Sequence, residues 1–586
     1  MAAGRRGTAA VAGLGTLVLG LAACGGGTRD GDGGGTLRLV GASDVDHLDP
    51  ASAYTQWSAG LVRQFARTLF GVRAADTFAE AVEVRPDVAA ELPTVRNGGV
   101  SADGRTYTIR LRPGVRWNTR PPREVTAADF VRGLKRVCNP AQPAGARGYY
   151  TGTIVGMDAF CRGFAGVDAG NAAAIAAYQN EHEVEGLKAR DARTLEIRLK
   201  RPTQDFVEIL AMGFAAAAPA EYDRYVPDSA EFRVNTVSNG PYRIGSYTPG
   251  KRYVLERNPA WRQESDPLRG QGPARIQITL GQDSPEAVQR RLEEGTADLA
   301  WDQTVPAARI PALRSHPNFK IMQGSSLDPY LVFNTLSPNN GGALGRREVR
   351  RAIAYAIDKA ALVRLRGGPG VGEVLHQAIP PRSTGHEPFN PYPTPGDAGD
   401  PDRCWKMLVA AGYPNGLKLR FPYRTSGDHA RIAQSLRADL KECGIDAELV
   451  ADSAGTLYNT TLVTPADARA GRWDVAAPDW HPDWYGDNGR TIVPQLFDGR
   501  LYGPNSANFG GYDNDEVNRL IDRALAAGDE DEARRLWARA DRLIMADAAI
   551  VPLMSRNQPV FHSSRVRDAR YLPHFQTYDV SLVRLA

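Results

Sequence analysis

A chain of 586 residues is too long for one ordinary hydrophobic core, so two or more lobes are expected. Its 42% hydrophobic and 24% charged residues are the composition of a soluble globular protein. The net charge of +4 falls to +2 if Arg5 and Arg6 leave with a leader, and no Lys/Arg cluster marks a groove, which argues against nucleic acid as a partner.

The N-terminus is the first informative stretch. Arg5 and Arg6 precede an uncharged run from Thr8 to Ala23, shorter than the about 20 apolar residues that a membrane-spanning helix needs. The run ends in Leu21-Ala22-Ala23-Cys24, which resembles a bacterial lipobox. Residues 1–23 are therefore expected to be a cleaved signal peptide, with Cys24 lipidated as the new N-terminus. Residues 24–35 are rich in glycine and suit a flexible tether between a lipid and a folded body. The Arg5-Arg6 pair leaves the choice between the general and the twin-arginine export routes open.

Beyond the tether, Thr36–Val40 reads as a strand, and residues 106–111 (TYTIRL) and 193–199 (RTLEIRL) alternate as half-buried strands do. Residues 241–257 read as two strands turning at Thr248-Pro249-Gly250. Residues 245–251 match G-x-x-x-x-G-K, but Arg252 stands where a phosphate loop needs Ser or Thr, and the segment joins two strands. Residues 368–372 (GPGVG) likewise read as a loop. Val349, Ala352, Ile353, Ala356, Ile357 and Ala360 form one helical stripe over residues 347–363; Val517, Leu520, Ile521, Ala524 and Leu525 form another, followed by Leu536, Ala540, Leu543 and Ile544. The pattern is mixed α/β, with strand-rich early lobes and a helix-rich late one. Of the four cysteines after Cys24, Cys138 and Cys161 flank a Pro-, Gly- and Tyr-rich loop and are expected to form a local disulfide. Cys404 and Cys443 sit at opposite ends of two helices that a βαβ layout makes parallel, so their pairing is left undecided.

Several segments together resemble extracellular solute-binding protein family 5, the oligopeptide- and dipeptide-binding proteins of ABC importers. His47-Leu48-Asp49-Pro50 is similar to its early LDP element, and residues 103–117 (DGRTYTIRLRPGVRW) to its DG-x-TYTF-x-LR-x-GV-x-F stretch. Residues 125–130 (VTAADF), Asn239-Gly240-Pro241-Tyr242 with Glu256-Arg257-Asn258-Pro259, residues 351–358 (RAIAYAID), 411–416 (AGYPNG) and 508–512 (NFGGY) continue the family's order. The departure is at Arg120-Pro121-Pro122, where a glycine-bearing turn is usual. The resemblance implies an α/β, periplasmic-binding-protein-like type II fold of three lobes with a ligand cleft between lobes I and III. Lobe I comprises residues 36–70, 235–329 and 555–586, lobe II 71–234 and lobe III 330–554, with crossovers at 330–334 and 550–556.

Trp480-His481-Pro482-Asp483-Trp484-Tyr485 belongs to the densest aromatic–acidic cluster in the chain. Asp483 falls where the family's peptide binders hold the ligand's ammonium, and an ammonium in a closed, dry cleft needs such a carboxylate. Trp480, Trp484 and Tyr485 supply apolar walls and cation–π contact; the alternative is a surface loop whose aromatics only pack. Tyr54 and Trp57, after the LDP element, resemble the lobe I side of the cleft, although Trp57 can equally be core. Asn334 can bond ligand backbone or satisfy its own strand end. No H-E-x-x-H pair, zinc-spaced cysteine pair or G-x-S-x-G elbow occurs, so no cofactor, metal site or catalytic residue is expected. The reading is a monomeric receptor that passes a peptide or other small solute to a permease. A non-peptide solute, a sensor on the same fold, or a hydrolase using Asp483 and Asp487 remain the alternatives.

Overall fold

The computed structural model describes residues 35–586 except 426, 454, 455, 487, 504 and 505. Cys24, its leader and most of the tether lie outside the described residues, as does Asp487.

Three bodies of buried side chains organise the chain. In lobe I, a five-stranded sheet runs in the order Leu299–Ala300, Thr36–Val40, Arg275–Thr279, Arg252–Arg257, Tyr242–Thr248. The first three strands are parallel and the last two antiparallel, with Leu39 opposite both Leu299 and Ile278. Alternation sends Leu37 and Leu39 inward beside Tyr253, Leu255 and Ile276, all buried. The P-loop look-alike is the turn of the outer hairpin: Gly250 takes φ +65°, and its N–H donates to Asp44 at 2.7 Å.

Lobe II carries an antiparallel sheet in the order Thr106–Arg110, Thr194–Arg198, Leu187–Ala189. It is not strand-rich as expected, because five helices surround that sheet: Ala127–Arg136, Arg147–Thr153, Met157–Phe164, Ala172–Glu181 and Phe206–Ala211. Most are a turn or two of Ala-, Gly- and Tyr-rich sequence, too short to show a helical stripe. The Asp129 carboxylate accepts the Thr126 N–H at 2.9 Å, which starts the first of them. Asp49 of the LDP element pairs with Arg136 at its far end, both buried, and so ties lobe I to lobe II.

Lobe III centres on Tyr330–Phe333, flanked antiparallel by Val475–Ala476 and Ile550–Pro552. A parallel pair, Leu417–Arg424 and Ile445–Asp452, is joined by the helix His429–Glu442. The stripe over residues 347–363 is broken into Arg347–Ala356 and Lys359–Leu365, because the Asp358 side chain accepts the Ala361 N–H at 2.7 Å and begins a new helix. The expected crossover at 330–334 is an interior strand of this lobe. The passage is made just before it, in residues 323–329, after Phe319–Met322 has paired with Gln558–Phe561. The returning chain lies alongside, with the Asp328 N–H donating to Met554 O at 2.8 Å.

Both cysteine pairs are bonded, with Cα–Cα separations of 5.2 Å for Cys138–Cys161 and 5.7 Å for Cys404–Cys443. The second was obscured by assuming that its helices lie side by side. Instead Pro401–Ala410 packs chiefly on Arg347–Ala356, and its first turn meets the end of His429–Glu442, where Trp405 lies against Gly444.

Candidate ligand-binding cleft

Two cavities, of about 900 and 510 Å³, in the size range of small-molecule sites, open between lobes I and III, and the smaller is also walled by lobe II. They share Gln56, Trp57, Arg424, Asp479, His481 and Phe575, so they form two chambers of one cleft joined at a waist.

The loop that bears Asp483 is pinned at its start. Trp480 exchanges both backbone hydrogen bonds with Leu327 beside the crossover, and its indole N–H donates to Thr491 O at 2.7 Å. Asp483 then projects, half-buried, onto the wall of the smaller chamber. Tyr54 of lobe I donates its hydroxyl to Oδ1 at 2.9 Å, and Tyr149 of lobe II donates to Oδ2 at 2.6 Å. No basic side chain forms an ion pair with Asp483 among the described residues. Burial pushes its pKa above the ordinary carboxylate value, although the two tyrosine hydrogen bonds oppose the shift. Each oxygen keeps a lone pair for a further donor, and an arriving cation would relieve the desolvation.

The other expected residues divide. Trp57 borders both chambers, with its indole N–H donated to Asp44 O at 3.1 Å. Trp484 edges the smaller chamber, but its ring is 2% exposed and sits in lobe II's core, 4.9 Å from the Tyr149 ring. Tyr485 faces neither chamber; it packs edge-on against Phe78 and His574. Asn334 is fully buried away from the cleft. Its amide donates to Ala468 O and Trp473 O and accepts from the Leu336 N–H, which corrects its assignment as a ligand contact.

Sequence reasoning missed Tyr149 and the basic groups of the larger chamber. Tyr149 stands on the helix Arg147–Thr153, inside the loop that Cys138–Cys161 closes, and its only signal was the aromatic Tyr149-Tyr150 pair there. In the larger chamber Arg366 pairs with Asp328 at 2.7 Å, Arg556 approaches the same carboxylate at 3.6 Å, and Arg424 pairs with Asp479 at 2.6 Å. Three guanidiniums thus face two carboxylates, and the Nε of each guanidinium lacks a hydrogen-bond partner. Burial alone would raise the Asp328 pKa, but Arg366 and Arg556 overcome it and hold the carboxylate below its usual range. Burial pushes His429 down to about 4 and lowers His481, while the chamber wall sets Arg366, Arg424, Arg431 and Arg556 against Glu286, Asp302, Asp328, Asp428 and Asp479.

The family model for bacterial extracellular solute-binding proteins, family 5 Middle, matches residues 83–502. The chain belongs to this family. It is 23% identical over 539 residues to the glutathione-binding protein GsiB of Escherichia coli O1:K1 / APEC, covering 91% of each chain. It is 25% identical over 480 residues to heme-binding protein A of Haemophilus influenzae, covering 78% of this chain and 77% of the other. Among solved structures, the clavulanic acid biosynthesis oligopeptide binding protein 2 superposes with a TM-score of 0.81 at 27% identity, over 94% of this chain and 96% of that one. The fold is accordingly the periplasmic-binding-protein type II fold of family 5, a solute-binding architecture.

Proposed function

We propose that this protein is the extracytoplasmic receptor of an ABC importer and that its solute is a peptide held by its N-terminal ammonium at Asp483. The observation that carries the reading is the Asp483 carboxylate itself: desolvated, oriented by two hydroxyls from two other lobes, and without an ion-pair partner among the described residues. A carboxylate so placed favours a ligand that brings its own cation. The guanidiniums of Arg366, Arg424 and Arg556 in the larger chamber suit a carboxylate elsewhere on the same ligand, and a peptide carries both groups. Relatives named for binding glutathione and oligopeptides agree with this assignment, and the relatives compared are binding proteins.

Closure of lobes I and III around the solute is the form such a receptor presents to a permease. Among the described residues no helix is long and apolar enough to cross a membrane. The lipobox-like Leu21-Ala22-Ala23-Cys24 supports attachment through a lipid on Cys24, with the folded body acting as a monomer on the glycine-rich tether. Native mass spectrometry of the protein as purified tests the ligand class. The expected result is a retained adduct that fragments into amino-acid residues; a retained solute without amino-acid residues would overturn the peptide assignment.

A further inference from the structure

The two chambers differ in chemistry, and the difference bears on what sits beside the ammonium. The 900 Å³ chamber is walled by charged and amide groups such as Asp328, Arg366, His429, Arg431 and Gln558. Beyond its rim, the 510 Å³ chamber is walled largely by carbon: Val62, Val72, Val84, Met212, Phe214 and Phe575. The charges at its deep end are already matched within the protein. Arg63 pairs with Asp579 at 3.2 Å, and Arg269 pairs with Asp87 at 2.6 Å and Asp266 at 3.1 Å. Thr68 donates its hydroxyl to Phe70 O. These three side chains therefore present neither a spare charge nor a free hydroxyl donor to an incoming group, although His574 Nδ1 on the same wall is buried without a hydrogen-bond partner.

Asp483 lies on the wall of this apolar chamber, not of the charged one. The α-carbon of a ligand's first residue is one bond from its ammonium nitrogen, so an ammonium at Asp483 sets that carbon at the apolar chamber, where the side chain has room to enter while the backbone carbonyl turns toward the waist. The rest of the ligand passes the waist at Trp57 and Asp479 into the charged chamber. A cavity of roughly 150 Å³ already accepts benzene, so 510 Å³ has room for the largest natural side chains. A charged or amide side chain would lose its water against a wall that is mainly carbon.

Resting on the assignment of the ammonium to Asp483, we infer that the smaller chamber is a specificity pocket for a large apolar or aromatic first side chain, Phe or Leu in preference to Gly or Glu. Full burial of such a side chain is expected to tighten binding on the order of 10- to 100-fold over glycine. Calorimetry on the purified full-length protein with Phe-Ala-Ala, Leu-Ala-Ala, Gly-Ala-Ala and Glu-Ala-Ala reads this directly. The expected order is Phe and Leu well above Gly, with Glu no tighter than Gly. Filling the chamber by Ala211→Phe, or separately by Val84→Phe, should bring Phe-Ala-Ala down to the affinity of Gly-Ala-Ala. Equal affinities for Phe-Ala-Ala and Gly-Ala-Ala on the wild type would overturn the pocket and leave the peptide assignment standing. Failure of every tripeptide to bind would overturn both.

Discussion

Replacing Trp484 with alanine empties a socket that lobes II and III build together. The other fully buried members of that core lie between Leu69 and Ala217, so the indole is a lobe III side chain plugged into lobe II. Beside it Arg490 pairs with Asp205 at 2.8 Å, and the Gln204 amide donates to Ala527 O at 3.2 Å, again from lobe III to lobe II. These contacts hold lobe III against lobe II, so their loss should weigh on how the lobes pack together and not on the folding of either lobe alone. Truncating a buried tryptophan typically costs about 3–5 kcal/mol. If the open form keeps half of that burial, about 2 kcal/mol is charged to closure, which is roughly 30-fold in Kd. The effect should appear as faster dissociation, because contacts made after encounter govern release. Stopped-flow dissociation of a peptide from wild type and Trp484→Ala, with small-angle scattering of both liganded proteins, is the assay. Unchanged dissociation and unchanged compactness in the variant would refute the reasoning.

Three further expectations follow from particular groups. The Asp483 pKa is raised above the ordinary 3.8, and an ammonium pairs only with the ionised form, so affinity should be full above the raised value and fall as pH drops through it. Calorimetry in acidic buffers should place that loss at higher pH than an ordinary aspartate gives, and it should vanish in Asp483→Asn. The two disulfides close separations of 23 and 39 residues, so removing either by paired Cys→Ser changes should lower unfolding free energy by about 3–4 kcal/mol, read by denaturant titration; no change would mean that the bridge is idle in solution. Cys24→Ala should release the protein from the membrane fraction or leave its leader uncleaved, and membrane retention with a processed N-terminus would contradict lipidation.

Much of the framework was legible because it depends on local rules. Strand alternation at Thr106–Arg110 and Thr194–Arg198 and the hairpin around Gly250 are short-range patterns, and the structure follows them. The break at Asp358 was hidden because the apolar stripe runs through it, while a single side-chain cap decides the boundary. The loop from Trp480 to Tyr485 was visible as a cluster, but not which ring faces the ligand; Trp484 and Tyr485 turn into packing between lobes. Asn334 looked poised for a ligand, yet its neighbours Ala468 and Trp473 are more than a hundred residues away in sequence. The same distance hid the arginine cluster, since Arg366, Arg424 and Arg556 converge from separate segments.

The central claim is that Asp483 receives the ligand's ammonium, and a four-arm calorimetric cycle tests it most directly. Phe-Ala-Ala and its N-acetyl form are titrated into the wild type and into Asp483→Asn. The account predicts that acetylation weakens wild-type binding roughly 10- to 100-fold but changes the variant little, a coupling of about 1.5–3 kcal/mol. Equal binding of the free and acetylated peptides to the wild type would contradict it.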